Sequence, residues 1–176
     1  YQGVPVKGYT PLIENMLDGV EVVKQCDFLQ DRDYWRNRAD KIIFTGPIDS
    51  YFDYSLGRLP YRSLRFVFEK HEVDDYQGGA LVNYTDLSEK FTRIVEHKHL
   101  MCDLAPKGHT IISKEYATAY TDGVEPLYPI NNKENDDLAA RYKKLAESEG
   151  IIIGGRLGLF RYYDMNQIVD ESRNLA

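Results

Sequence analysis

Between Pro60 and about Tyr116 the chain is written in short alternating runs, and this rhythm limits the folds open to it. In "SLRFVFEK", Leu64, Phe66 and Phe68 fall on one side and Arg65, Val67 and Glu69 on the other, the period of two that a pleated strand imposes. "ALVNYT", "FTRIVEHKHL" and "HTIISKEY" continue in the same β-rich manner. The economical reading is an antiparallel sheet in the middle of the chain.

The flanks keep a different rhythm. In "GYTPLIENMLDG", Thr10 can cap a helix and Pro11 suits its first position; Leu12, Ile13, Met16 and Leu17 line one face before Gly19 stops it. "VEVVKQ" (Val20 to Gln25) predicts a strand, "DRDYWRNRAD" a turn with a short polar helix, and "KIIFTGP" (Lys41 to Pro47) a second strand. Helical spacing returns in "NKENDDLAARYKKLAESEG", with Leu138, Tyr142 and Leu145 on one face and Gly150 as terminator. A last strand and helix lie in "IIIGGRLGLFRYYDM" and beyond. Asp164 and Gln167 make a capping-box pattern there, and Met165, Ile168, Val169, Ser172 and Leu175 share a face. The expected architecture is α+β: an α/β layer built from both chain ends (1–48 and 133–176), with an antiparallel sheet domain (49–132) inserted between.

Composition narrows the function. A net charge of -6 over 176 residues argues against a nucleic-acid binder, since phosphate affinity is built from excess lysine and arginine. There are two cysteines, Cys26 and Cys102, with neither pairing nor metal spacing, and they read as reduced thiols of a cytoplasmic protein. No run of apolar residues is long enough to insert in a membrane. The opening on Tyr1, in mid-pattern and without a methionine, predicts a piece of a longer chain.

Histidines offer little chemistry. His97 and His99 in "EHKH" would share one face of a strand, but no carboxylate or cysteine accompanies them at ligand spacing, so no metal site is expected. Neither a nucleophile elbow nor a Ser-His-Asp arrangement is apparent. Arginine with tyrosine is the better lead. Arg62, Arg93, Tyr128, Arg156 and Tyr162 all fall at strand ends or in turns. Guanidinium groups clamp phosphate oxygens in pairs, and a tyrosine hydroxyl adds a neutral donor, so the set suits a diphosphate. The first amides of the last helix face the Gly154-Gly155-Arg156 turn, which suits an anion or a polar cofactor edge, or equally a capped helix packed on a strand with no ligand.

Five longer motifs go further. "YQGVPVKGYTPLIENML", "IIFTGPIDSYFDYSLGRLPYRSL", "TRIVEHKHL", "EPLYPINNKEN" and "GGRLGLFRYYDMNQ" together resemble the carboxyl half of the bacterial UDP-galactopyranose mutases. The resemblance implies an isomerase that interconverts UDP-galactopyranose and UDP-galactofuranose for cell-surface polysaccharide, with N5 of reduced FAD as nucleophile. It implies that Arg93 is the catalytic residue at the substrate diphosphate and sugar. Tyr1, Arg62, Tyr128 and Tyr162 would bind substrate as well. Gly155, Arg156, Tyr163, Asp164 and Met165 would belong to the FAD-binding segment. It further implies a cytoplasmic homodimer at full length.

The family's amino-terminal dinucleotide fingerprint and helical domain are absent from these residues. The isolated chain is therefore expected to lack activity and to hold FAD weakly or not at all. Two other readings stay open: a flavin amine oxidase-like oxidoreductase, which "ADKIIFTGP" also resembles, and a non-catalytic nucleotide-sugar binding module.

Overall fold

The computed structural model describes residues 3–101, 105–121 and 123–175. The fold is α+β, as the alternation and the flanking helical spacings predict, and the chain forms two compact units. One comprises the residues up to Gln25 together with Leu64–Ala117; the other comprises Cys26–Ser63 and Thr118–Ala176.

The first unit holds the helix α1 (Tyr9–Met16) and most of an antiparallel sheet. Its strands are β2 (Tyr61–His71), β3 (Leu81–Asn83), β4 (Arg93–Glu96) and β5 (Thr110–Ala119), in the order β3-β4-β5-β2. Register is set by the pairs Leu81↔Val95 and Asn83↔Arg93 on one side of β4, and Arg93↔Glu115 and Glu96↔Ile112 on the other. Ile94, Glu96, Thr110, Ile112 and Ser113 are buried, whereas Phe66 and Phe68 are exposed.

Three expectations fail in this unit. Thr10 does not cap α1: Gly8 stands at the cap with φ 80, no side chain caps the end, and Thr10 lies inside the helix. Residues 20–25 form no strand, because a strand is defined by a paired neighbour and, among the described residues, none lies alongside them. "HKHL" is not strand either; after Glu96 the chain tightens into a 3₁₀ turn, His97–Leu100, so the two histidines do not share a strand face.

The second unit carries the larger core. It contains α2 (Arg32–Arg36), β1 (Ile43–Phe44), α3 (Ile48–Tyr51), β6 (Tyr128–Pro129), α4 (Lys133–Ser148), β7 (Ile152–Ile153), α5 (Gly155–Gly158) and α6 (Met165–Leu175). β1 and β7 pair in parallel, Ile43↔Ile152 and Phe44↔Ile153. β6 pairs antiparallel with the first residues of β2, Tyr61↔Pro129 and Arg62↔Tyr128.

The ends of α4 explain why it forms where the spacing places it. Asn132 accepts the Asn135 amide at 2.9 Å, and Glu134 and Asp136 in the first turn complement the helix dipole. At the far end Gly150 is left-handed (φ 69); Gly150 donates to Glu147 and Ile151 donates to Ala146, the paired closure that leads the chain straight into β7. Ala139 and Tyr142 point into a cluster with Ile48, Leu59, Tyr61 and Phe160. The Tyr142 hydroxyl donates to the Gly57 carbonyl at 2.6 Å and accepts from the Leu56 amide at 3.0 Å. Asp49 is buried beside this core and accepts the Leu59 and Ser50 amides at 2.8 and 3.0 Å; burial pushes its carboxyl above the ordinary value while those amides pull the other way.

The stretch expected as a plain turn, Gly154 to Arg156, contains a short helix of its own, α5. It packs close to the parallel pair because Gly158 has no side chain: a Cβ there would meet Ile153 Cγ2 at 2.9 Å and the Phe44 carbonyl oxygen at 3.0 Å. Half of the expected capping box closes at α6, where the Asp164 amide donates to Gln167 Oε1 at 2.8 Å. On the expected apolar face of α6, Met165 and Val169 are exposed. No helix among the described residues is long and apolar enough to cross a membrane. Cys26 is exposed; Cys102 lies outside the described residues.

Candidate functional site

The second unit brings four of the expected residues together. Arg62 and Tyr128 are direct cross-strand partners in the β2–β6 pair, so their side chains share a face. Tyr128 stacks on Tyr162 with ring centroids 5.7 Å apart and planes 20° from parallel. The Arg156 guanidinium carbon lies 5.3 Å from the Tyr128 ring centre and 4.9 Å from that of Tyr162.

Arg156 is a positioning group in this arrangement. Its Nε donates to the Tyr163 carbonyl at 3.0 Å, its Nη2 donates to the same oxygen, and its Nη1 reaches the Leu127 carbonyl at 3.4 Å. Those carbonyls belong to the residues next to Tyr162 and Tyr128. One side chain therefore fixes both tyrosine-bearing segments through their backbones and both rings through stacking. Among the described residues neither tyrosine hydroxyl has a hydrogen-bond partner, nor does the Arg62 guanidinium, and Arg62 and Tyr162 are exposed. Two phenols without partners thus lie beside an exposed guanidinium, a combination that favours a polyanion.

The remaining expected cofactor residues divide by what their side chains do. Tyr163 is buried, with a hydroxyl that donates to Glu171 at 3.1 Å and accepts from Arg161 at 3.2 Å. Gly155 adopts φ +74, and a Cβ on it would stand 3.2 Å from Thr45 Cβ, so this turn requires glycine. Asp164 and Met165, at the start of α6, are exposed. Tyr1 lies outside the described residues.

Arg93 belongs to the other unit, where two cross-strand neighbours hold it. Its Nε donates to Asn83 Oδ1 at 2.9 Å, and its Nη1 lies 3.6 Å from Glu115 Oε2. Both partners are those of the strand register, which places three polar side chains abreast on one face of β3, β4 and β5. The Arg93 side chain is 38% exposed, so the guanidinium is oriented by its neighbours while one edge stays accessible. Neither Asn83 nor Glu115 was expected from sequence. Pairing alternate positions of the three strands would have found them, but only with the register known.

Histidine placement corrects the expectation that no carboxylate accompanies the pair. His99 Nε2 lies 3.4 Å from Glu96 Oε2 and 3.5 Å from Asp75 Oδ2, and donor atoms of the three residues fall within 4.8 Å of one another. Asp75 is distant in sequence and reaches His99 through the loop between β2 and β3. The oxygens of Glu96 are already engaged by the Tyr76 and Gln77 amides and the Thr110 hydroxyl. His97 instead bonds Ser113 Oγ at 3.0 Å and stacks on Phe68.

With this geometry in view, comparison with known proteins is informative. A family model described as "GLF: UDP-galactopyranose mutase" matches residues 1–162. The chain is 37% identical to a probable UDP-galactopyranose mutase of Klebsiella pneumoniae, over all of its own length and 45% of that protein. It is 33% identical to a UDP-galactopyranose mutase of Mycoplasma pneumoniae, over 97% of itself and 46% of that protein. A dTDP-fucopyranose mutase of Escherichia coli is 31% identical over the whole chain and 48% of its own length. The chain thus spans about half the length of the curated relatives it matches. A solved structure described as reduced UDP-galactopyranose mutase shares the fold with TM-score 0.58 at 14% identity, over 70% of this chain and 37% of that one.

Proposed function

The chain belongs to the UDP-galactopyranose mutase family, and we propose that it supplies the carboxyl-terminal share of an enzyme that interconverts UDP-galactopyranose and UDP-galactofuranose. The observation that carries this reading is the Tyr128–Tyr162 stack braced by Arg156, with unpartnered hydroxyls on the same side as Arg62. The family match runs through all four residues and ends on Tyr162.

The proposed chemistry asks the protein to hold a nucleotide diphosphate while its bond to the sugar breaks, and to keep it for return. Charge grows on the diphosphate as it departs, so donors fixed beforehand stabilise the departing state more than the bound substrate. Arg62 provides charge, and the tyrosine hydroxyls provide short neutral donors. Their rings are locked, so little ordering remains to be done when the anion arrives. In the family reading Arg93, oriented by Asn83 and Glu115, is the arginine that meets the substrate. Reduced FAD, when bound, supplies the nucleophilic nitrogen for the sugar carbon. The donor set around α6 fits such a cofactor: an exposed Asp164 carboxylate for hydroxyl donors and the exposed Met165 thioether for an apolar ring.

The test is titration of UDP into a family-length protein, in which this chain is continuous with the share of its relatives that lies outside the match. Tyr128→Phe and Tyr162→Phe keep the stack and remove one hydroxyl each. Each is expected to weaken UDP about tenfold, the value of a hydrogen bond to a charged group. Unchanged affinity in both variants would refute the assignment. The likeness to a dTDP-fucopyranose mutase makes dTDP-fucopyranose the competing substrate, and dTDP titrated beside UDP separates the two.

A further inference from the structure

The two tyrosine-bearing segments of the second unit are tied together a second time, away from Arg156. Asn131 follows Tyr128 by three residues; its Nδ2 donates to the Phe160 carbonyl at 3.1 Å and to Asp136 Oδ1, in the first turn of α4, at 2.7 Å. Both hydrogens of that amide nitrogen therefore have acceptors, which fixes the side chain's orientation. Phe160 precedes Tyr162 by two residues and holds a left-handed backbone, φ 49, which a bulky residue adopts only where its surroundings impose it. Its ring is buried and meets the Tyr61 ring edge to face, with centroids 5.3 Å apart and planes at 82°. The Tyr61 hydroxyl donates to the Leu157 carbonyl at 3.2 Å, and Tyr61 is the residue before Arg62. One strained residue thus joins the segments that carry Arg62, Tyr128 and Tyr162.

We infer that Asn131 is a positioning residue for the Tyr128–Tyr162 pair, acting by holding the left-handed turn at Phe160 in register with β6. This inference rests on the proposed diphosphate site. Arg156 ties the two segments on one side only, and its bond to the Leu127 carbonyl is long at 3.4 Å. Asn131 supplies the cross-tie on the other side. Each tyrosine then has an anchored residue before it and after it: Leu127 and Asn131 about Tyr128, Phe160 and Tyr163 about Tyr162. The bond from Asn131 also offsets part of what the left-handed conformation costs, so without it the turn is free to relax. A phenol hydroxyl sits at the end of a long rigid side chain, and a small change of backbone direction at residue 160 carries it out of hydrogen-bond range of a bound anion. Asn131 is itself exposed, so replacing it opens no cavity.

The experiment follows the ring pair directly and through UDP, both in the family-length protein. With ring-labelled tyrosine, assigned by the Tyr128→Phe and Tyr162→Phe variants, the nuclear Overhauser effect between the two stacked rings should be present in the original protein and lost in Asn131→Ala. Asn131→Asp keeps the shape but has no donor to offer the carbonyl at neutral pH, and should behave like the alanine variant. In UDP titrations, Asn131→Ala should cost about fivefold in affinity by itself and less than about twofold on top of Tyr162→Phe, because the hydroxyl it aligns is then already gone. A ring contact unchanged in both Asn131 variants, or loss of affinity by the same factor in both backgrounds, overturns the inference. If Tyr128→Phe and Tyr162→Phe leave UDP affinity unchanged, it is the proposed function that fails, and the ring measurement, which needs no ligand, decides the role of Asn131 alone.

Discussion

Arg93→Ala in the family-length protein is expected to lower kcat by about a hundred- to a thousandfold, the usual cost of removing one preorganised donor from a developing oxyanion. The expectation follows from how the side chain is held. Asn83 and Glu115 hold Nε and Nη1, so under the proposed role the guanidinium would meet a phosphate with its orientation already set. Arg93→Lys keeps the charge but loses the planar fork, and should recover only part of the loss. A purely structural role would look different. Glu115 is largely buried, with 13% of its side chain exposed, and loses an ion partner when Arg93 is removed, so Arg93→Ala also carries a stability cost. Pairing it with Glu115→Gln should recover that stability and leave kcat low. Recovery of kcat in the double variant, or near-normal kcat in Arg93→Ala, would remove Arg93 from the diphosphate site.

Glu96→Ala should destabilise the first unit by about 2–4 kcal/mol, because Glu96 is fully buried and satisfies three donors: the Tyr76 and Gln77 amides and the Thr110 hydroxyl. These bonds tie the loop after β2 to β4 and β5. Burial by itself pushes the carboxyl up, but the Thr110 hydroxyl and the two amides outweigh it and hold the group below its ordinary value. A carboxyl depressed in the folded state contributes stability above its unfolded value, and that contribution is lost as pH falls through the folded value. Urea unfolding of the original chain and the variant should therefore differ most at neutral pH and converge in acid. Two titratable neighbours face the same group, Asp75 and His99, so Asp75→Asn belongs in the series as a control for their influence. A gap that does not narrow in acid would show that the hydrogen-bonded carboxylate is not what stabilises the loop.

What could be read in advance depended on whether the cause was local. The limits of α4 lie in residues that act within one turn, Asn132 and Gly150, and Gly150 stands where the sequence places the terminator. The alternation of β2 is likewise local. Failures came where the cause lies elsewhere in the chain. The valines at 20, 22 and 23 have strand character, but strand formation needs a neighbour to bond. Thr10 is an able capping residue that loses to a glycine two positions earlier, whose φ of 80 starts the helix sooner. The histidines of "EHKH" leave the strand because Glu96 is already tied to the preceding loop and the chain turns after it.

The candidate site divides the same way. Tyr128 with Tyr162 and Arg93 with its strand ends were legible as residue types, since arginine and tyrosine in turns suggest a diphosphate. That Arg156 braces the tyrosines instead of presenting its donors outward follows from three-dimensional neighbours alone. The same holds for Asn83 and Glu115, which are ten and 22 positions from Arg93 in sequence and adjacent to it in register.

The most direct measurement is the exchange of sugar ring forms by the family-length protein with FAD chemically reduced. Started from UDP-galactopyranose or from UDP-galactofuranose, the reaction should reach the same mixture, consume neither oxygen nor reductant in proportion to turnover, and stop when the flavin is oxidised. Oxygen consumed with each turnover would mark an oxidase instead, and no interconversion from either side, with flavin bound and reduced, would contradict the assignment.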